Sequence, residues 1–382
     1  MKRAPLKVLA LALAIALPVE TMSYLAGKML ARQSLLYEPQ PFASHEYAAY
    51  LKDRHPVLGW PGRNAGRYEF DDAGSRLVPS FPDPAMPSCA AVYGDSYTWG
   101  YSVSPEQTYA NVLSTLMRCR VANYGIGGYG TDQAFLRYQD TAHDRPPIVI
   151  LGHYSDNIVR NVNQERGFLN NQVLALKPRF VLADGELTLV PLPELTEAEY
   201  RSLGARGRQL LPNDYFAPGG PAGIRSFEFP YTLSVAGIVR HYRLRAGLEG
   251  RPSYAEFYDP LHPSQALQVT EALMHAFVEA ARRRGQKAMI LLIPDEKDLR
   301  WLRAHGALPY AELATRLRAS GIAVPAVAEA LSRDLGGRDP CSLYTRCGDG
   351  HFAPGAHRQL AEIAYGALAS LGWLKSAYEP GL

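Results

Sequence analysis

The chain is short of cysteine, of net charge and of repeated sequence. Four Cys in 382 residues cannot supply a disulfide scaffold, although they suffice for two local staples. Forty basic against 37 acidic side chains leave a formal net charge of +3. That balance excludes a strongly basic nucleic-acid binder and an acidic tail protein. No internal repeat or low-complexity tract occurs. What remains is 47% hydrophobic and 20% charged, the composition of a globular chain. Its length fits one large α/β domain with insertions, or two ordinary domains.

The N-terminus is the one place with a long apolar run. Met1-Lys2-Arg3 and Lys7 precede a stretch without charge from Val8 to Val19, Glu20 interrupts it, and Met22 to Ala26 is again largely apolar. A basic start before an apolar run marks a signal anchor or a cleaved signal peptide. The anchor, over 1–28, is the reading preferred here, because no clear small-x-small cleavage site follows. Lys2, Arg3 and Lys7 then keep the N-terminus in the cytoplasm and send the rest of the chain out. Cys89 and Cys119 each lie just before an apolar β-like run, and Cys341 and Cys347 share a short loop. An oxidising compartment permits both pairs; four free buried thiols in a cytoplasmic protein is the alternative.

Residues 29–88 lack periodicity and read as a membrane-proximal extension. From 89 the pattern changes. Ala90 to Tyr93, Val121 to Tyr124 and Ile148 to Leu151 predict strands, and Tyr109 to Met117 and Gln133 to Ala142 predict helices. Strands alternating with helices signal a parallel sheet covered on both faces. The alternation stops over about 161–285, which reads as a large insertion. It contains a hairpin about Asp184-Gly185 and a long helix from Ser264 to Arg284. It resumes with a buried strand at Ala288 to Ile293, a helix at Tyr310 to Ala319, a weak strand at Ile322 to Val324 and a last helix at Pro354 to Leu371.

Four motifs fall where such a sheet presents its carboxyl edge. Gly94-Asp95-Ser96 follows the first strand, where a nucleophilic Ser must stand if substrate is to reach it. Asn123 to Gly130 is a Gly-rich turn after the second strand. It suits a phosphate, or a glycine N–H facing the Ser as an oxyanion donor. Ser155-Asp156-Asn157 follows the third strand, and Asn157 offers an amide to the same oxyanion. Asp349-Gly350-His351 precedes the last helix, and an Asp–His pair supplies the orienter and general base of a triad.

In this order the motifs resemble the four blocks of the SGNH (GDSL-type) hydrolase family, membrane-anchored bacterial type. The resemblance covers roughly residues 89–160 and 286–372. It implies a three-layer α/β/α sandwich, flavodoxin-like, with a parallel sheet, and an SGNH domain over 89–375. It assigns Ser96 as nucleophile, Asp349 and His351 as its partners, and Gly128 and Asn157 as oxyanion donors. Two blocks depart from the family. The third reads Asp156-Asn157 where Gly-x-Asn-Asp is usual, which leaves Asn161 and Asn163 as alternatives. The last lacks one residue of Asp-x-x-His. Asp259-Pro260-Leu261-His262-Pro263 fits that spelling better, but at least one strand follows it, so it is expected to be a turn before a capped helix. The resemblance implies a serine esterase acting on an acylated glycan or lipid, with no metal or cofactor and no nucleic-acid partner. An O-acyltransferase and a non-catalytic glycan-binding protein are the alternatives on the same fold. The expected location is the bacterial inner membrane, single-pass, with the catalytic domain in the periplasm. The oligomeric state is not legible.

Overall fold

The structure is a computed structural model that describes residues 4–39, 41–61, 69–141, 144–170, 174–348 and 350–374. In chain order its first half holds helix α1 (Ala4–Arg32), α2 (Ser44–Asp53), strand β1 (Ala90–Tyr93), α3 (Ser96–Trp99), α4 (Tyr109–Met117), β2 (Val121–Asn123), α5 (Thr131–Asp140), β3 (Ile148–Tyr154), α6 (Asn157–Arg160), β4 (Arg179–Ala183) and β5 (Glu186–Val190). There follow α7 (Glu197–Arg201), α8 (Leu203–Leu210), α9 (Tyr231–Gly237), α10 (Tyr242–Leu248), α11 (Ala266–Arg283), β6 (Lys287–Ile293), α12 (Glu296–His305), α13 (Ala311–Ala319), α14 (Val327–Leu335) and α15 (Pro354–Ser370). They form two compact units. Unit 1 comprises residues 1–60, 163–177 and 191–253; unit 2 comprises 61–162, 178–190 and 254–382.

Unit 2 is built on a parallel four-stranded sheet of order β2-β1-β3-β6. Every residue of β1, β2 and β3 is buried, as continuous apolar runs require when helices cover both faces. One cover pairs α5 with α11, and the other pairs α4 with α15. The expected α/β class with a parallel sheet therefore holds. The weak strand expected at Ile322 to Val324 is reduced to a single parallel bridge, Met289 to Ala323, because Pro325 follows at once and lacks the N–H to continue it. Antiparallel β4 and β5 form the hairpin about Asp184-Gly185, both residues at positive φ, as a two-residue turn demands.

The insertion expected over 161–285 is shared between the units: β4, β5 and α11 belong to unit 2. The cause is amphipathicity, since the apolar face of α11 (Leu267, Leu273, Met274, Phe277) is fully buried and packs on β6 and α5. The extension expected over 29–88 likewise divides after Trp60. Its second part joins unit 2, where Arg76 donates its backbone N–H to the Asn123 carbonyl and the Asp71 carboxylate pairs with buried Arg120 at 2.5 Å.

Disulfides join Cys89 to Cys119 and Cys341 to Cys347, with Cα–Cα distances of 6.0 and 5.0 Å. The first lies just before β1 and β2, whose starts are adjacent in the sheet.

Unit 1 is helical and loop-rich. In α1 the side chains of residues 4–11 lie outside those described. Among the described residues, no helix is long and apolar enough to cross a membrane, so the single-pass span expected at 1–28 finds no support there. Its charge-free run is only Val8 to Val19, with Pro18 inside the helix and Glu20 and Lys28 beyond it, whereas a span needs about 20 apolar residues.

Candidate active site

Strands β1, β2 and β3 run in parallel, so their carboxyl ends deliver three turns to one sheet edge. After β1 the Asp95 carboxylate accepts the Tyr97 backbone N–H at 3.0 Å and caps α3, a standard use of Asp at a helix start. Ser96 is thus the first residue of a short helix and is 7% exposed. Gly100, at φ +81°, ends that helix in the left-handed conformation that glycine adopts without strain.

Two neighbours fix α3. Asn123 donates its amide to the Thr98 carbonyl at 2.9 Å and accepts the Gly125 N–H at 3.0 Å. The Arg76 guanidinium donates to the carbonyls of Trp99 and Gly100 and stacks over the Trp99 ring at 4.8 Å. Thr98 fills a space left by glycines: a Cβ at Gly94 or Gly152 would stand 2.2 or 2.5 Å from its Oγ1, and one at Gly125 would lie 2.5 Å from the Trp99 nitrogen.

His351 comes from the loop before α15. Tyr344 and Phe352 form an antiparallel bridge at its base, and the Thr345 N–H donates to the His351 carbonyl at 2.8 Å. The Cys341–Cys347 disulfide closes the start of the same loop, and Glu296 accepts the Gly348 N–H at 3.0 Å. So placed, His351 Nε2 lies 2.8 Å from Ser96 Oγ. The rings of Tyr97 and Tyr101 both lie against the imidazole, at 5.1 and 5.3 Å between centroids. Tyr97 also donates its hydroxyl to the Gly350 carbonyl at 3.3 Å and stacks on Tyr154 at 4.2 Å. Asp349 lies outside the described residues.

Asn157, the first residue of α6, is buried; its amide donates to the Asp95 carboxylate. Its Oδ1 has no partner among the described residues. Burial pushes the Asp95 carboxyl above the usual range. Arg160, the backbone N–H groups of Tyr97 and Thr98, and the Asn157 amide all oppose that rise. Gly128 lies in the turn after β2 at φ +82°.

Arg160 joins all three turns. Its guanidinium donates to Asp95 at 3.2 Å and to the Tyr129 carbonyl at 3.1 Å, and it stands 3.6 Å from Asp156. Sequence reasoning misses this residue, as it misses Arg76, Asn123 and Tyr97. The available signal was spacing: Arg160 lies four residues after Asp156, the reach of a helical ion pair.

The alternatives are committed elsewhere. Asn161 accepts the Thr131 N–H at 2.8 Å and donates to Thr270, so it holds the start of α5. Asn163 donates to Asp214 and to the Glu165 carbonyl in unit 1. His262 lies against Phe257 and shares a hydrogen bond with Ser264, whose hydroxyl accepts the Ala266 N–H. That is the expected turn before α11. His153 and His357 are buried, and burial pushes both imidazoles down to about 3, which keeps them neutral. Among the described residues, the grouping of metal-ligand type is Glu296 with Cys341 and Cys347, whose two sulfurs are bonded to each other.

A serine hydroxyl on an imidazole, at the carboxyl edge of a parallel sheet and beside turns rich in N–H donors, is an arrangement competent for acyl transfer. No family model and no curated protein matches the chain. Solved structures do, at low identity. A member of the lipolytic protein G-D-S-L family from Veillonella parvula is 12% identical, covering 73% of this chain and 97% of its own, with a TM-score of 0.37. An α/β hydrolase from the metagenome of Lake Arreo is 15% identical, covering 76% and 97%, with a TM-score of 0.39. A catalytic mutant of an acetylxylan esterase from Geobacillus stearothermophilus is 12% identical, covering 74% and 95%, with a TM-score of 0.37. At these scores the likenesses carry no functional argument, and the weight falls on the geometry of Ser96 and His351.

Proposed function

We propose that the chain is a serine hydrolase of acyl esters, acting outside the cytoplasm on an acylated glycan or lipid. The observation that carries this proposal is the 2.8 Å contact between Ser96 Oγ and His351 Nε2. Ser96 Oγ attacks the acyl carbon while His351 takes its proton, forming a tetrahedral oxyanion. Collapse breaks the ester bond, and His351 returns the proton to the leaving alcohol. A water molecule, deprotonated by His351, then attacks the acyl-enzyme and releases the carboxylic acid and Ser96. Asp349 orients the imidazole. The N–H groups of Ser96 and Gly128 and the second amide hydrogen of Asn157 hold the oxyanion.

Tyr101, 63% exposed and against the imidazole, offers an apolar face beside the nucleophile; that suits a sugar ring and favours the glycan. Two disulfides support an oxidising compartment. The basic start before an apolar helix supports attachment to the outer face of the bacterial inner membrane.

A fluorophosphonate probe tests the assignment. The full chain should label at Ser96, and labelling should vanish in Ser96→Ala and His351→Ala. An unlabelled but folded native chain would refute the nucleophile.

A further inference from the structure

Unit 1 carries apolar side chains that its own core does not use. On α1, Leu17, Met22, Leu25 and Met29 are exposed. Beside and within α9, Phe229 is 70%, Leu233 68% and Val239 65% exposed, and Leu248, which ends α10, is 81% exposed. Scattered surface apolar residues need no explanation, but a contiguous set marks a site of contact.

These two sets belong together because α9 is fixed on α1. The Glu20 carboxylate accepts the backbone N–H groups of Tyr231 at 2.7 Å and Thr232 at 3.3 Å. Ser23 and Thr232 share a hydroxyl hydrogen bond of 3.0 Å. The Tyr24 ring packs on Phe227 and Tyr231 at 5.6 and 5.1 Å. Glu20, the charge that interrupts the apolar run, is thus occupied in holding a second helix against the first. The α9 flank also walls a cleft of about 340 Å³, lined by Phe229, Pro230, Leu233 and Arg225 among others.

The charge of this segment is one-sided. Residues 221–251 hold five arginines (225, 240, 243, 245 and 251) against two glutamates, and Arg225, Arg240 and Arg245 are exposed. Exposed apolar side chains interleaved with arginine fit a surface that is oily beneath and anionic above. A bilayer interface has that profile. A protein partner with an apolar patch would match Phe229 and Leu233 but not the excess of arginine around them.

We propose that α9 and its flanks form a second membrane contact, separate from the N-terminal run of α1. Phe229, Leu233 and Val239 enter the interfacial layer of an anionic bilayer, and Arg225, Arg240 and Arg245 meet its phosphates. This deepens the proposed membrane attachment and depends on it only in sharing the same surface. The helix lies in the interface, so no span is required of it.

The test uses the full chain. Among the described residues all cysteines are disulfide-bonded, so Leu233→Cys introduces a thiol that takes a polarity-sensitive fluorophore. Phosphatidylcholine vesicles with phosphatidylglycerol should blue-shift the label, and brominated acyl chains should quench it. Phosphatidylcholine alone should do so at least about tenfold more weakly, because the arginines then lack anionic partners. The double variant Phe229→Glu, Val239→Glu, at two exposed positions, should lose vesicle binding by a similar factor while keeping turnover of a soluble ester. If the chain floats with vesicles but the label stays silent, α1 alone holds it and this contact is refuted. If the chain does not float, membrane attachment itself fails with it. If lipid-free ultracentrifugation shows a dimer that Leu233→Glu disperses, the face belongs to a second copy and the proposal is overturned.

Discussion

The two units bury polar groups to different ends. In unit 2 the buried Asp95 and Asn157 and the half-buried Arg160 converge on one sheet edge, where their hydrogen bonds to one another and to the Tyr97 N–H and the Tyr129 carbonyl steady the turns beside Ser96. In unit 1 the buried Glu165 and Asp214 converge on backbone. Asp214 accepts the N–H groups of Gln164, Glu165 and Phe216 and the amide of Asn163. Glu165 accepts the Gly167 N–H at 2.8 Å, and its second oxygen has no partner among the described residues. The same chemistry prepares a reactive edge in one unit and replaces regular secondary structure in the other. Chemistry should therefore be sensitive to unit 2, while Glu165 gives unit 1 a pH-dependent stability of its own.

The sharpest test of that contrast is Ser96→Ala. Turnover of a nitrophenyl ester should fall to background while circular dichroism stays unchanged, since only a hydroxyl at a strand end is lost. Residual activity above a few percent would break the assignment.

Asn157→Ala comes next, with an expected loss of about 10²–10³ in kcat. Asp156→Ala, on a half-exposed side chain that stands 3.6 Å from Arg160, should cost far less. A fatal Asp156→Ala beside a mild Asn157→Ala would move the oxyanion donor elsewhere.

The third prediction concerns unit 1. Burial pushes the Glu165 carboxyl from its ordinary 4.5 to about 8, with Asp214 adding to the rise. Its folded pKa is raised, so the stability tied to its proton is fully present below about 4.5. It is lost as pH rises through about 8. Across that window the unfolding free energy should fall by up to about 1.4 kcal/mol per pH unit. Glu165→Gln should flatten the slope, read from denaturant melts at pH 5, 6, 7 and 8, and leave kcat unaltered. An unchanged slope would show that the carboxyl is ionised in the fold.

The smallest effect is expected at Tyr101. Tyr101→Ala should raise KM for an acylated oligosaccharide a few-fold and leave turnover of a nitrophenyl ester nearly intact. Equal losses on both substrates would mean that the ring serves to hold His351 instead.

Legibility divides along the same line. The strands of unit 2 are continuous apolar runs and its helices carry one buried face; periodicity misses α12 and α14 but finds β1, β2, β6, α4, α5, α11, α13 and α15 within two residues at their ends. The exception is β3, which runs three residues past the expected Leu151 to Tyr154, through Gly152 and His153, where apolar character gives out. Unit 1 gives no such signal. Its turns depend on single side chains accepting backbone N–H groups, as Asp214 does, and such bonds have no period. At the site, Ser96 and His351 were visible as motifs on strand ends. Arg160 was not, because two of its partners come from other loops, and only the folded sheet brings Asp95 and Tyr129 within its reach.

The fit of Thr98 among Gly94, Gly125 and Gly152 has a consequence for how this sequence can drift. Gly94 and Gly152 press on the Thr98 hydroxyl, and a Cβ at Gly125 would lie 2.8 Å from the Thr98 methyl. No one of these glycines can gain a side chain while Thr98 keeps its size, and backbone at Trp99 blocks Gly125 in any case. Thr98→Ala would lift the constraint at Gly152 alone, because a Cβ at Gly94 would still lie 2.8 Å from the Gly152 carbonyl oxygen. Homologues should therefore show residue 98 shrinking before or together with any alanine at 152, and glycine at 94 and 125 regardless. Alanine at 152 opposite an intact threonine, found repeatedly, would mean that the turn has more room than this packing allows.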